Sequence, residues 1–95
     1  MKTINIYSLA GAFAENKDIA RDIRTNSILP ALEAEEIVLD FEQVESTTQS
    51  FIHALISDLI REKGDEVLDK ITFKNCSETV QKIIGIVVEY MQQSS

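Results

Sequence analysis

The sequence predicts a small layered α/β domain with a mostly parallel sheet packed against three to four helices. Three observations carry that prediction. Short apolar segments of strand character alternate with longer stretches of helical periodicity, in the order strand, helix, strand, helix, strand, helix. The middle apolar segment is hydrophobic on both faces, as expected of a strand buried between layers. No internal repeat, low-complexity segment or second domain interrupts that order, which argues for a largely parallel sheet. At 95 residues the chain accommodates one domain and one modest core, so residues 1–95 are read as a single domain.

The elements follow in order. Residues 3–9 read as the first strand, with Ile4 and Ile6 on one face and Thr3, Asn5 and Tyr7 on the other. Ala10, Gly11 and Ala12 form a small-residue turn. Asn16 is placed to cap a helix, and Asp18 in its first turn complements the helix dipole. Ile19, Ala20 and Ile23 give that helix its apolar face. Pro30 cannot donate a backbone hydrogen bond and disfavours helical geometry at Leu29, so a kink or break is expected near residues 25–29. A short helical piece through Leu32 should follow.

Residues 37–41 are the expected central strand. The next helix carries two adjacent apolar rows, Phe51, Leu55, Leu59 and Ile52, Ile56, Ile60, with His53, Ser57 and Arg61 facing away. Gly64 is available to end it with a positive φ. Residues 71–74 form a third short strand. Asn75 or Ser77 should cap the last helix, whose stripe runs Val80, Ile83, Ile84, Val87, Val88, Met91. Gly85 interrupts that helix at a cost of roughly 1 kcal/mol relative to alanine. The tail, residues 92–95, is expected to fray.

Composition narrows the function classes. Sixteen acidic residues against nine basic ones give a formal charge of -7. That balance argues against duplex nucleic acid, which needs clustered Lys and Arg. Lys17, Arg21 and Arg24 share one helix with Asp18 and Asp22 and read as a solvated face. Cys76 is the only cysteine, so an internal disulfide is impossible. No apolar run approaches the ~20 residues of a membrane span, and no secretory leader is visible. The expected setting is cytoplasmic, without nucleic acid or membrane as partner.

Motifs for chemistry are sparse. His53 and Cys76 lack ligand partners at metal-binding spacing. Asp40, Glu42 and Glu45 lie near the C-terminal end of the central strand, where α/β ligands tend to bind, and a carboxylate-only magnesium site there stays open as the weaker reading. GxGxxG, GxxxxGK[ST] and CxxC are absent. Ser50 and His53 stand three apart on one helix, but no nucleophile elbow surrounds Ser50. Cys76, near a helix start, reads as a small packed residue before a reactive one. No catalytic residue, cofactor or metal is therefore assigned.

What remains is the hydroxyl cluster Ser46, Thr47, Thr48 and Ser50 at the start of the central helix. Thr47 or Thr48 is the expected N-cap. With Thr48 as cap, Ser50 is the second helical residue, where a phosphate would meet free N–H groups and the positive end of the dipole. A phosphate there would add nearly two negative charges to a face already holding Glu42 and Glu45, and would repel an acidic partner.

This strand-turn-Ser-helix segment resembles the STAS superfamily, the sulfate-transporter and anti-sigma-factor-antagonist domains. Val38-Leu39-Asp40-Phe41-Glu42-Gln43-Val44 resembles their strand and turn, and Thr48-Gln49-Ser50-Phe51 falls where they have Asp-Ser-Ser/Thr-Gly. The sequence is most similar to an uncharacterised STAS-like family, on Leu39-Asp40-Phe41, Val44, Ser50-Phe51, Asn75 and the upstream Gly11-Ala12-Phe13. Thr48 stands in place of the aspartate and Phe51 in place of the glycine of the phosphorylated class, and Phe51 is expected to pack inward.

The resemblance implies a non-enzymatic protein-interaction module in intracellular signalling, similar to anti-sigma factor antagonists. It implies a protein partner of the GHKL-type ATP-binding, anti-sigma-like kind. Ser50 would be the switch or contact residue, Thr47, Thr48 and Gln49 the loop surface beside it, Asp40 a residue fixing the loop, and Glu42 and Glu45 residues tuning its charge. Two alternatives stay open: a small-ligand or metal-assisted enzyme using Asp40, Glu42, Ser50 and His53, or a subunit docking on a larger assembly through its last helix.

Overall fold

A computed structural model describes residues 1–93 of the chain. Its main sheet is parallel, with strand β3 (Ile37–Asp40) between β1 (Lys2–Asn5) and β5 (Ile71–Lys74). The register aligns Ile4 with Leu39 and Leu39 with Phe73. Ile4, Ile37, Leu39 and Ile71 belong to the hydrophobic core. Val38, pointing the other way, lies outside that core cluster, between exposed Thr3 and Thr72. Val38 is only 7% exposed, so β3 is buried on both faces, but only one face is covered by the core.

The first strand is shorter than its alternation suggests. β1 stops at Asn5, and α1 (Ile6–Ala10) begins at once. Asn5 is the reason: its Oδ1 accepts a hydrogen bond from the Ser8 amide at 2.9 Å, and Ser8 Oγ donates back to the Asn5 carbonyl. This reciprocal cap outweighs the strand-like spacing of Ile4 and Ile6, and Ile6 enters the core from a helix. Gly11 then ends α1 at φ 83°, a conformation that favours glycine.

A second, two-stranded parallel sheet pairs β2 (Phe13–Ala14) with β4 (Ser46–Thr47). Two-residue strands leave no periodicity to read, so only their pairing reveals them.

Helix α2 (Lys17–Ile23) starts at Asn16, whose side chain accepts from the Asp18 and Ile19 amides. No break follows. A π-helical turn (Arg24–Ile28) joins α2 to α3 (Leu29–Leu32), and Leu29 N–H reaches back to the Arg24 carbonyl. The wide turn just ahead of Pro30 lets the helical rod continue where a regular one would break.

The central rod repeats this device. α4 (Gln49–Ile52) runs through a π-helical turn (His53–Ser57) into α5 (Asp58–Lys63), which Gly64 ends at φ 79°. Both expected apolar rows are buried, and Phe51 is fully buried. Ser57, expected on the outer face, is only 2% exposed: the extra residue in the wide turn rotates it inward. A 3₁₀ segment (Asp65–Lys70) leads to β5.

The last helix, α6 (Glu78–Gln93), is capped by Ser77, whose Oγ accepts from the Val80 amide at 3.2 Å. Val80, Ile84, Val87 and Met91 are buried, with Ile83 and Val88 packed at the margin. α2, the α4–α5 rod and α6 lie side by side with the α4–α5 rod in the middle. Gln92 and Gln93, expected to fray, are helical; Ser94 and Ser95 lie outside the described residues.

A Cβ added at exposed Gly85 would meet nothing within 4 Å. Gly85→Ala therefore gains helix propensity without a clash, and it should raise stability by about 0.5–1 kcal/mol. A higher urea midpoint at unchanged slope is the measurement.

Candidate functional site

The C-terminal end of β3 organises the polar loops. Asp40 Oδ1 accepts from the Glu42 amide at 2.9 Å and from Asn75 Nδ2 at 3.1 Å. The carboxylate thus ties the loop after β3 to the loop after β5. Phe41 N–H donates to the Lys74 carbonyl and Val44 N–H to the Phe41 carbonyl, so the turn is closed by backbone as well. Gln43 and Asn75 both take positive φ, at 71° and 58°. Asparagine tolerates that region better than most side chains.

These contacts set the charges. The Glu42 amide and then the Asn75 side chain hold the Asp40 carboxyl below its ordinary value; burial opposes them, and Lys74 adds a smaller lowering effect. Burial pushes the Cys76 thiol up, and the nearby Asp40 carboxylate adds to the shift. Cys76 is half-buried and packs against the core, and a raised pKa means less thiolate.

The hydroxyl cluster divides into different roles. Thr47 is buried, and its Oγ1 donates to the Ala14 carbonyl at 2.7 Å across the β2–β4 pair. It was expected on the loop surface; a buried hydroxyl needs a partner, and this carbonyl supplies it. Glu45 N–H donates to the Ala12 carbonyl, and Ser77 Oγ donates to the Glu45 carbonyl. The loop is therefore pinned from two sides. Thr48 is the N-cap: its Oγ1 accepts from the Phe51 amide at 3.1 Å, with extended backbone at φ -118° and ψ 161°. Gln49 and Ser50 follow as the first two helical residues, and both are exposed.

Ser50 opens onto a groove of about 560 Å³ between the α2 rod, the α4–α5 rod and α6. Lys17, Arg21 and Arg24 line it from α2 and the turn after it; His53 and Ser57 line it from the central rod; Ile86 and Tyr90 line it from α6. Arg24 is not part of a solvated face. Its side chain is 14% exposed, its Nη1 donates to the Ala54 carbonyl at 2.8 Å, and it pairs with Asp58 at 2.9 Å. Asp58 also pairs with Arg61 at 3.0 Å. His53 Nδ1 shares a hydrogen bond with buried Ser57 at 3.2 Å.

Asp40, Glu42 and Glu45 do not line this groove. The groove beside Ser50 is thus lined by Lys17, Arg21 and Arg24 against the single carboxylate of Asp58, and the acidic residues expected beside Ser50 lie outside it. The cause lies in the tertiary structure: α2 packs against α4 and brings its basic residues alongside. The grouping Asp40, Glu42, Ser50 and His53 is likewise divided between the β3 loop and the groove. Among the described residues, no three His, Cys, Asp or Glu side chains gather as a metal site, and no helix is long and apolar enough to cross a membrane.

A parallel β1-β3-β5 sheet layered with helices, with a capped helix opening shortly after the central strand, defines the class of STAS-like α/β domains. A family model described as a STAS-like domain of unknown function (DUF4325) matches residues 20–81, and the chain belongs to that family. The match takes in Asp40, Ser50 and Asn75 and leaves Gly11, Ala12 and Phe13 outside. Searches of curated proteins and of solved structures give no match.

The Asp40 contacts make a pH prediction. A carboxyl lowered on folding contributes stability above its ordinary value of 3.8 and loses it as pH falls through the folded value. The urea midpoint of the natural chain should exceed that of Asp40→Asn near neutral pH, and the gap should close on acidification. Asn75→Gly, which keeps the positive φ but removes one donor, should narrow the same gap.

Proposed function

We propose that this STAS-like domain is a non-enzymatic protein-interaction module of intracellular signalling, with Ser50 as its switch or contact residue. One observation carries the reading: Ser50 is exposed at the second position of a helix capped by Thr48, beside an open groove. Exposed Gln49 extends that surface, while Asp40 holds the preceding loop in place. By likeness to anti-sigma factor antagonists, the partner is a GHKL-type ATP-binding regulator.

A phosphate on Ser50 brings about two negative charges and three acceptor oxygens to the groove edge. It alters the contact surface without disturbing the cap, because Thr48, not Ser50, holds the Phe51 amide. The switch is therefore a change of charge on a rigid helix start, with no unfolding step.

Incubation with labelled ATP and candidate kinases should label the natural chain and leave Ser50→Ala unlabelled. A partner captured by the unmodified chain should bind the phosphorylated chain at least about tenfold more weakly, a cost of roughly 1.4 kcal/mol. Labelling that persists in Ser50→Ala, or capture indifferent to phosphorylation and to substitution at Ser50, would overturn the reading.

A further inference from the structure

The groove beside Ser50 has a charge that the chain as a whole does not. Three of the nine Lys and Arg residues line it, but only one of the sixteen acidic residues, Asp58. That carboxylate is already compensated by Arg24 and Arg61. Arg24 is itself fixed between Asp58 and the Ala54 carbonyl, so it is a rigid part of the wall. Lys17 forms no ion pair among the described residues, and the Arg21 contact to Asp18, at 3.4 Å, joins two exposed side chains. An exposed pair of that kind contributes little and is easily exchanged. Lys17 is thus unpaired among the described residues and Arg21 only weakly held, so both can turn to an anion.

The opposite wall is apolar. Ile86 and Tyr90 on α6 are 47% and 61% exposed, although the same helix buries its other apolar stripe thoroughly. A cleft of about 560 Å³ is within the range of small-molecule sites, which combine apolar walls with a few convergent polar groups. His53 adds a ring edge between the two walls, held by Ser57.

We propose that this groove binds a small organic anion, one carboxylate, sulfonate or phosphate group on an aromatic or aliphatic body. Lys17 and Arg21 take the anionic group, while Ile86 and Tyr90 cover the apolar body. The site does not depend on modification of Ser50, and it stands whether or not that serine is a switch.

The test uses the full chain and two fluorescent probes with the same ring framework. One is 8-anilinonaphthalene-1-sulfonate, which is anionic; the other is N-phenyl-1-naphthylamine, which is uncharged. The anion should bind saturably at one site and weaken as salt is raised, and amide shifts should move at Gln49, His53 and Tyr90. Lys17→Glu with Arg21→Glu should weaken it by about tenfold or more, and Tyr90→Ala several-fold. Lys70→Glu, a reversal of equal sign outside the groove, should leave it unchanged. Thermal midpoints confirm that each variant is folded; if the double reversal fails to fold, the amide-shift map on the natural chain decides. Equal affinity for the uncharged probe, shifts confined to another surface, or indifference to the double reversal in a folded protein would each overturn the proposal.

Discussion

Strand β3 is the constraint on which the rest of this structure depends. It is the only strand of the main sheet with a neighbour on both sides, and its register fixes both. Ile37 and Leu39 anchor the core while Val38 is buried by flanking threonines, so a slip of one residue would exchange the two faces. Its last residue extends that control beyond the sheet. Asp40 ties two loops with one carboxylate oxygen, and those loops lead into α4 and α6. The entry of both helices into the layer thus follows from where β3 ends.

A second constraint joins the helices. Each of the two long rods contains a π-helical turn, and the turns pack against each other. Arg24 spans them, donating to Ala54 and pairing with Asp58. Such turns widen a helix and redirect the residues beyond them. Here they admit Pro30 to one rod and rotate Ser57 inward in the other.

Much of the fold was legible because local chemistry and tertiary packing agree. Asn16 and Gly64 act on their own neighbours and could be placed by spacing alone, whereas spacing left Asn75 and Ser77 both open as the last cap and the Val80 amide decides for Ser77. The apolar rows of the central rod and the stripe of α6 were likewise local patterns. β1 was read too long because Ile4 and Ile6 alternate like a strand, and the stronger local signal was the Asn5 cap. β2 and β4 were invisible because pairing 33 residues apart leaves no mark in either segment. Thr47 looked like surface because only the Ala14 carbonyl, brought by that pairing, accounts for its burial.

By itself the sequence determined the alternation of strands and helices, the single apolar core, the capped helix opening at Ser50 and the likeness to STAS domains. These rest on periods, caps and short motifs, all of which act over a few residues. Only the tertiary structure decided the charge around Ser50. Lys17, Arg21 and Arg24 lie about thirty positions upstream on a helix shared with Asp18 and Asp22, and nothing local separates those signs. Packing α2 against the α4–α5 rod turns the cations into the groove while Asp40, Glu42 and Glu45 stay on a loop apart from it. Electrostatic environment is a property of neighbours in space, and spacing along the chain does not carry it.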